Sequence, residues 1–280
     1  MSSTKSLSDL TIGFIGAGNM AWAIFQNLLN AGLPAGQVTV SAPSDRNLGK
    51  WKDAGAQTVR SNCEVATASE VVILALKPQQ FQGQWTERLP ANKEVLYISV
   101  MAGISTGAIR DNIIGKGVLR GNAAVVRTMP NTPMMAGLGA TVICADPYTP
   151  REHIEIAKLI FGAGNCLAEE VPETLVDAGG ALVGCGPAFV YQFIEALADG
   201  AVAQGVPRDM ANRLTAQMVL GAAKMVQTTG KHPGLLKDEV CSPAGTTIAG
   251  LHALKKGQNF NVAVMDAIEA STARSKQLNK

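Results

Sequence analysis

The chain has 280 residues, of which 47% are hydrophobic and 16% charged, and its 24 Lys and Arg against 22 Asp and Glu leave a net charge of +2. That supplies apolar material for one large or two medium domains. The basic residues are scattered and not interleaved with aromatics, which excludes a dedicated nucleic-acid surface.

The five cysteines (63, 144, 166, 185, 241) are odd in number, and none sits at CxxC spacing or near the three histidines (153, 232, 252). Neither a disulfide framework nor a zinc site is expected, and free thiols suit a reducing, cytoplasmic compartment. The opening "MSSTKSLSDL" lacks the apolar core of a secretory signal. The apolar, uncharged run 178–194 carries four glycines and a proline, which argues against a membrane span.

From residue 11 to about 169 short apolar runs alternate with helix-like segments: 11–16, 37–42, 71–76, 95–100, 123–129 and 139–145 are the predicted strands. They are rich in Val and Ile and continuously apolar, as strands buried on both faces of a parallel sheet must be. Residues 1–169 therefore read as a doubly wound α/β domain of Rossmann type. The first strand runs into Gly16-x-Gly18-x-x-Ala21 and then an amphipathic segment closing at Gly32. In that strand–turn–helix context Gly16 makes the tight turn, Gly18 admits a pyrophosphate and Ala21 lets the helix pack on the strand. Gly16, Ala17, Gly18, Asn19 and Met20 are the predicted floor of a dinucleotide site. The second strand ends in "VTVSAPSDRN", with no acid at its tip. Ser44, Arg46 and Asn47, with Ser41 before them, suit a 2′-phosphate and favour NADPH over NADH. Asp45, presented by a shifted loop, is the NAD alternative.

Beyond residue 170 the β-branched runs vanish. Segments 187–205 and 207–230 each begin with Pro and end with Gly, as helices do. Their apolar and small residues cover several faces, so residues 170–280 read as a helical domain that forms a subunit interface or, alternatively, a tightly packed monomeric bundle. No Tyr-x-x-x-Lys occurs, and the glycine-rich stretch "GGALVGCGPAFVYQF" has no lysine, unlike the β-hydroxyacid dehydrogenases. Hydride transfer to an acceptor needing little proton help, such as a protonated C=N bond, is the chemistry that remains.

"GFIGAGNM", "ILALKP" (73–78), "RTMPNTP" (127–133), "GPAFVYQFIEALADGAV" (186–202) and "HPGLLKDEVCSPAGTTIAGLHALKKG" (232–257) together resemble the pyrroline-5-carboxylate reductases over about residues 10–275. The resemblance implies NAD(P)H-dependent reduction of 1-pyrroline-5-carboxylate to L-proline, by homodimers often assembled into decamers. It also implies cofactor contacts from Asn62, from Ala75, Leu76, Lys77 and Pro78, and from Met101, Ala102 and Gly103, with Met129–Asn131 near the nicotinamide. Ser242, Gly245, Thr246 and Thr247 become the substrate loop, with Thr247 Oγ bonded to the ring nitrogen. Gly245 or Thr246 is the expected helix cap, while Ser242 also reads as a plain loop or cap hydroxyl. Relatives usually read Ser-Pro-Gly-Gly-Thr-Thr, so Ala244 replaces a glycine; where φ is positive, alanine costs about 1 kcal/mol. Ser-Gly-Ser-Gly-Pro-Ala in relatives is met here by Val183 and Cys185 in place of the serines. Two rivals stay open: a reductase of another cyclic imino acid, and a non-catalytic NADP-sensing protein.

Overall fold

A computed structural model describes residues 5–84, 89, 95–113, 124–256 and 260–278. By contact the chain divides into two compact units: one runs through Cys185 and takes in the stretch from Ala270 onward, and the other is Gly186–Glu269. This division falls inside a helix, whereas the texture of the sequence changes at 169/170.

The first unit is an eight-stranded sheet in the order β3-β2-β1-β4-β5-β6-β7-β8. The strands are β1 Ile12–Ile15, β2 Val38–Ser41, β3 Gln57–Val59, β4 Val71–Leu74, β5 Leu96–Ser99, β6 Ala124–Pro130, β7 Ala140–Ala145 and β8 Leu167–Glu170. All four residues of β1, β2, β4 and β5 are buried, which is why these strands read as continuous apolar runs. The strands β3 to β6 pair parallel through crossovers that include α1 Asn19–Asn30, α2 Leu48–Asp53, α3 Asn62–Ala68, α4 Pro78–Gln84 and α5 Thr106–Ile113.

Strand β7 departs from the expected parallel order, pairing antiparallel with β6. Only residues 131–139 separate the two, and a parallel return needs about a dozen residues or more. They form a short 3₁₀ turn, Thr132–Ala136, ending at the left-handed Gly137. Helix α6, Arg151–Phe161, then carries the chain to β8, parallel to β7 at the edge. One face of the sheet buries an aromatic cluster, with Phe25 stacked on Trp51 at 4.6 Å and Phe14 against Trp51 at 5.1 Å. The other face gathers Val72, Leu74, Phe81, Tyr97 and Ile109.

Helix α7, Glu173–Gly180, lies on β6 and β7. A side chain at Gly180 would stand 3.0 Å from Met129 Cγ, so glycine permits this approach. A π turn, Ala181–Cys185, joins α7 to α8, Gly186–Ala203, and makes one helix of 31 residues that by length and composition alone is able to cross a membrane. Asn131 braces the turn: its Nδ2 donates to Val183 O at 3.1 Å while its Oδ1 accepts from Ala140 N at 3.0 Å. The middle of β6 holds a buried guanidinium, Arg127, whose Nη2 lies 2.9 Å from Asp177 Oδ1.

In the second unit α8 is followed by α9 Arg208–Thr229, α10 Pro233–Glu239, α11 Thr246–Lys255 and α12 Phe260–Leu278. Pro207 starts α9 and the left-handed Gly230 ends it, as the sequence predicts. Among the described residues of this unit only Ala198, Ala211 and Thr215 are buried. Helix α12 begins here and ends in the first unit, where Ser275 Oγ donates to Asp177 Oδ1 at 2.9 Å.

Candidate active site

The parallel strands finish level with one another. Ile15 pairs with Ser41 on one side and Leu74 on the other, and Leu74 pairs with Ser99. The loops Gly16–Met20, Ala42–Asn47, Ala75–Pro78 and Val100–Gly103 therefore leave the sheet at one edge, its carboxyl end. Strand order reverses between β1 and β4, which opens the crevice where doubly wound sheets take ligands.

Gly16 adopts φ +103°, and a side chain there would come within 2.6 Å of Ala75 O. Only glycine lets the β1 and β4 loops approach so closely. Gly18 is the N-cap of α1, with no side chain bonded to the helix's first N–H groups, and a Cβ on it would meet nothing within 4 Å. An uncapped helix start beside open space is a cradle for a pyrophosphate. Asn62 opens α3, and its Oδ1 accepts from the buried Ser41 Oγ at 2.6 Å. No described residue takes its amide nitrogen, which is therefore available as a donor. Met101 N bonds Ser99 Oγ at 3.2 Å, and Gly103, at φ +72°, packs so tightly on Leu278 that a Cβ would lie 2.5 Å from it. Lys77 stands exposed before Pro78 opens α4.

At the tip of β2, Ser44, Arg46 and Asn47 are all exposed, and Asp45–Asn47 form a 3₁₀ turn. Asp45 is engaged by Arg60, Nη2 to Oδ2 at 2.5 Å, and Arg60 Nη1 also reaches Ala42 O at 3.4 Å. Nothing in the sequence marks Arg60, because β3, the strand it follows, is only three residues long. These features fit an NADP-type cofactor: room at Gly18, free helix N–H groups, and arginines at the strand tip where an unpaired acid would otherwise accept ribose hydroxyls.

The loop Ser242–Gly245 lies in the second unit. Gly245 N donates to Ser242 O at 3.0 Å, closing a four-residue turn with Pro243 second and Ala244 third. Ala244 has φ +58°, alone among described non-glycine residues in this region. The turn is type II, whose third position demands positive φ. Gly245, not Thr246, is the N-cap of α11, and no side chain caps the helix. A Cβ on Gly245 would lie 2.2 Å from Ser242 Oγ, so that hydroxyl fills the space under the turn. Thr246 is exposed and Thr247 half-buried, and no described residue hydrogen-bonds to either hydroxyl. His232, by contrast, accepts from Gly234 N at 3.1 Å and so caps α10.

Residues 11–103 match the family model described as NADP oxidoreductase, coenzyme F420-dependent. Fold and crevice thus define a Rossmann-type NADP-binding oxidoreductase with an appended helical unit. Residues 173–278 match pyrroline-5-carboxylate reductase dimerisation. The chain is 43% identical to pyrroline-5-carboxylate reductase 3 of Rattus norvegicus, covering 96% of each, and 40% identical to the pyrroline-5-carboxylate reductase of Arabidopsis thaliana, again over 96% of the chain and 95% of the relative. Its structure is similar to that of Plasmodium falciparum pyrroline carboxylate reductase with NADP bound, at 28% identity and a TM-score of 0.84 over 98% of this chain and 99% of that one. The chain belongs to the pyrroline-5-carboxylate reductase family.

Proposed function

We propose that the protein reduces 1-pyrroline-5-carboxylate to L-proline with NADPH, NADH serving less well. The observation that carries this reading is the relation across 96% of both chains to reductases named for this activity. NADPH supplies the hydride. Everything else asked of the chain is to hold two partners in register and keep the imine protonated. Addition of the hydride to the carbon of the protonated C=N bond gives the secondary amine directly, so no dedicated acid or base is required at that carbon.

Gly16–Met20 and the start of α1 hold the pyrophosphate, Asn62 the adenosine ribose, and Ser44, Arg46 and Asn47 the 2′-phosphate. Ala75–Pro78 and Met101–Gly103 flank the remainder. The imino acid's carboxylate binds the uncapped N–H groups of Thr246 and Thr247, where the helix dipole favours an anion without adding a charged side chain. Thr247 Oγ bonds the ring nitrogen, and Ser242 with Gly245 shapes the loop. Residues 170–280 carry substrate and the dimer contact, with the decamer as the larger assembly. Five free cysteines support a reducing, cytoplasmic setting.

The test is NADPH oxidation with five- and six-membered imino acids, repeated with NADH. Turnover of the five-membered acid with NADPH is expected to exceed the other three combinations. Equal turnover of the six-membered acid would reassign the substrate, and no oxidation with either acid would leave only cofactor binding.

A further inference from the structure

The corner of the sheet where β2 and β3 end holds one acid and two arginines. The parallel pairing of Ser41 with Val59 places Ala42 beside Arg60, so a residue eighteen positions away in sequence becomes the direct neighbour of the β2 tip. Arg60 uses this position twice, bonding Ala42 O at 3.4 Å and Asp45 Oδ2 at 2.5 Å, and its side chain is still 53% exposed. Arg46, next to Asp45 in the same 3₁₀ turn, has no described partner.

A carboxylate at this corner accepts hydrogen bonds from a ribose diol and repels a phosphate. Asp45 is the only acid in the β2 tip loop, and its acceptor oxygen faces Arg60. We infer that Arg60 is a specificity-determining residue at the adenosine end of the cofactor site. It selects a 2′-phosphate over a free diol by tying up Asp45 and by presenting a second guanidinium beside Arg46. The loop is thereby converted from neutral, one Arg and one Asp, to net positive. A guanidinium has five N–H donors, so the two contacts to Asp45 and Ala42 leave others for phosphate oxygens.

The inference rests on the NADP reading above, and its test separates the two. Calorimetric titration of the full-length protein with 2′,5′-ADP and with 5′-AMP needs neither imino acid nor nicotinamide. The parent is expected to prefer 2′,5′-ADP. Arg60→Gln should cut that preference at least about tenfold, the scale of one lost charge-assisted hydrogen bond. It should do so by weakening 2′,5′-ADP and strengthening 5′-AMP, because Asp45 is released. Asp45→Asn should preserve or raise the parent's preference. In Arg60→Gln/Asp45→Asn, 2′,5′-ADP should recover part of its lost affinity and 5′-AMP should lose its gain. A parent that binds both ligands equally overturns the NADP reading itself. A discriminating parent with an unchanged Arg60→Gln ratio, or a fall in Asp45→Asn equal to that in Arg60→Gln, overturns the role of Arg60 alone. Coincident thermal melts of parent and Arg60→Gln, expected for so exposed a pair, show that the fold is intact.

Discussion

Ala244 sits where the turn geometry asks for glycine. Pro243 fixes the second turn position at negative φ, so the third carries the whole reversal, and Ala244 takes it at φ +58°. The left-handed conformation costs an L-residue about 1–2 kcal/mol, while glycine would lose about 0.5–1 kcal/mol more backbone entropy on folding. Ala244→Gly is therefore expected to stabilise the protein by about 0.5–1 kcal/mol, read as a raised urea midpoint at constant slope. A lowered midpoint would show that the turn does not hold this conformation in solution. Gly245 caps the helix with backbone alone, so the hydroxyls of Thr246 and Thr247 after the turn are not engaged in capping. Thr247→Ala should reduce kcat at least about tenfold, the value of one positioned hydrogen bond to the reacting nitrogen, with the NADPH dissociation constant unchanged. Equal kinetics for variant and parent would remove Thr247 from the mechanism. The sequence exposed these residues because turn, hydroxyls and helix are contiguous. It did not expose Arg60 or the Ser41–Asn62 bond, since both depend on which strands lie side by side.

Among the elements, continuous apolar runs revealed the buried strands and left the edge ones hidden. Gln57–Val59 is three residues long, and Leu167–Glu170 ends in two acids because an edge strand faces solvent. The second of those acids ties the edge to α6. Glu170 lies 2.9 Å from Arg151 Nη1 and 2.7 Å from Lys158 Nζ, both on α6. Hydrogen bonding from Lys158, aided by Arg151 against a smaller opposing effect of burial, lowers the carboxyl's pKa from its ordinary 4.5. A lowered pKa means the contribution is present above that value and fades as pH falls through the folded pKa. Because the group is partly exposed and screened, Glu170→Gln should cost no more than about 1 kcal/mol at pH 7. Urea melts at pH 7 and pH 3 should show the difference between parent and variant shrinking on acidification. A difference that grows at pH 3 would contradict the ion pair. Strand β7 teaches a separate lesson: composition marks a strand, but the length of its connection decides its direction.

For the whole molecule, the helical unit exposes what a folded protein ordinarily hides. Leu214 is 61% and Met218 50% exposed, one turn apart on α9, and Tyr191 and Met225 are similarly open. Apolar surface on this scale, in a segment matching a dimerisation family, is what a face shared with a further copy of the chain would need. The 31-residue helix is likewise little buried, and its Glu195 and Asp199 would be costly in lipid. Leu214→Glu should accordingly shift the mass in light scattering toward the monomer and make the thermal midpoint fall with dilution. On a free surface such a change moves stability by only about 0.5 kcal/mol, so an unaltered mass would mean that this face is not shared.

Helix α12 gives the nucleotide-binding unit its last piece from the far end of the chain, through Ser275 on Asp177 and Leu278 against Gly103. A protein made from its N-terminus tends to fold domain by domain as it emerges from the ribosome. Here the first unit to be synthesised is the last to be finished. Its Met101–Gly103 loop waits for residue 278 to be released, so a chain cut before Ala270 yields a sheet that is complete and a Met101–Gly103 loop without its backing.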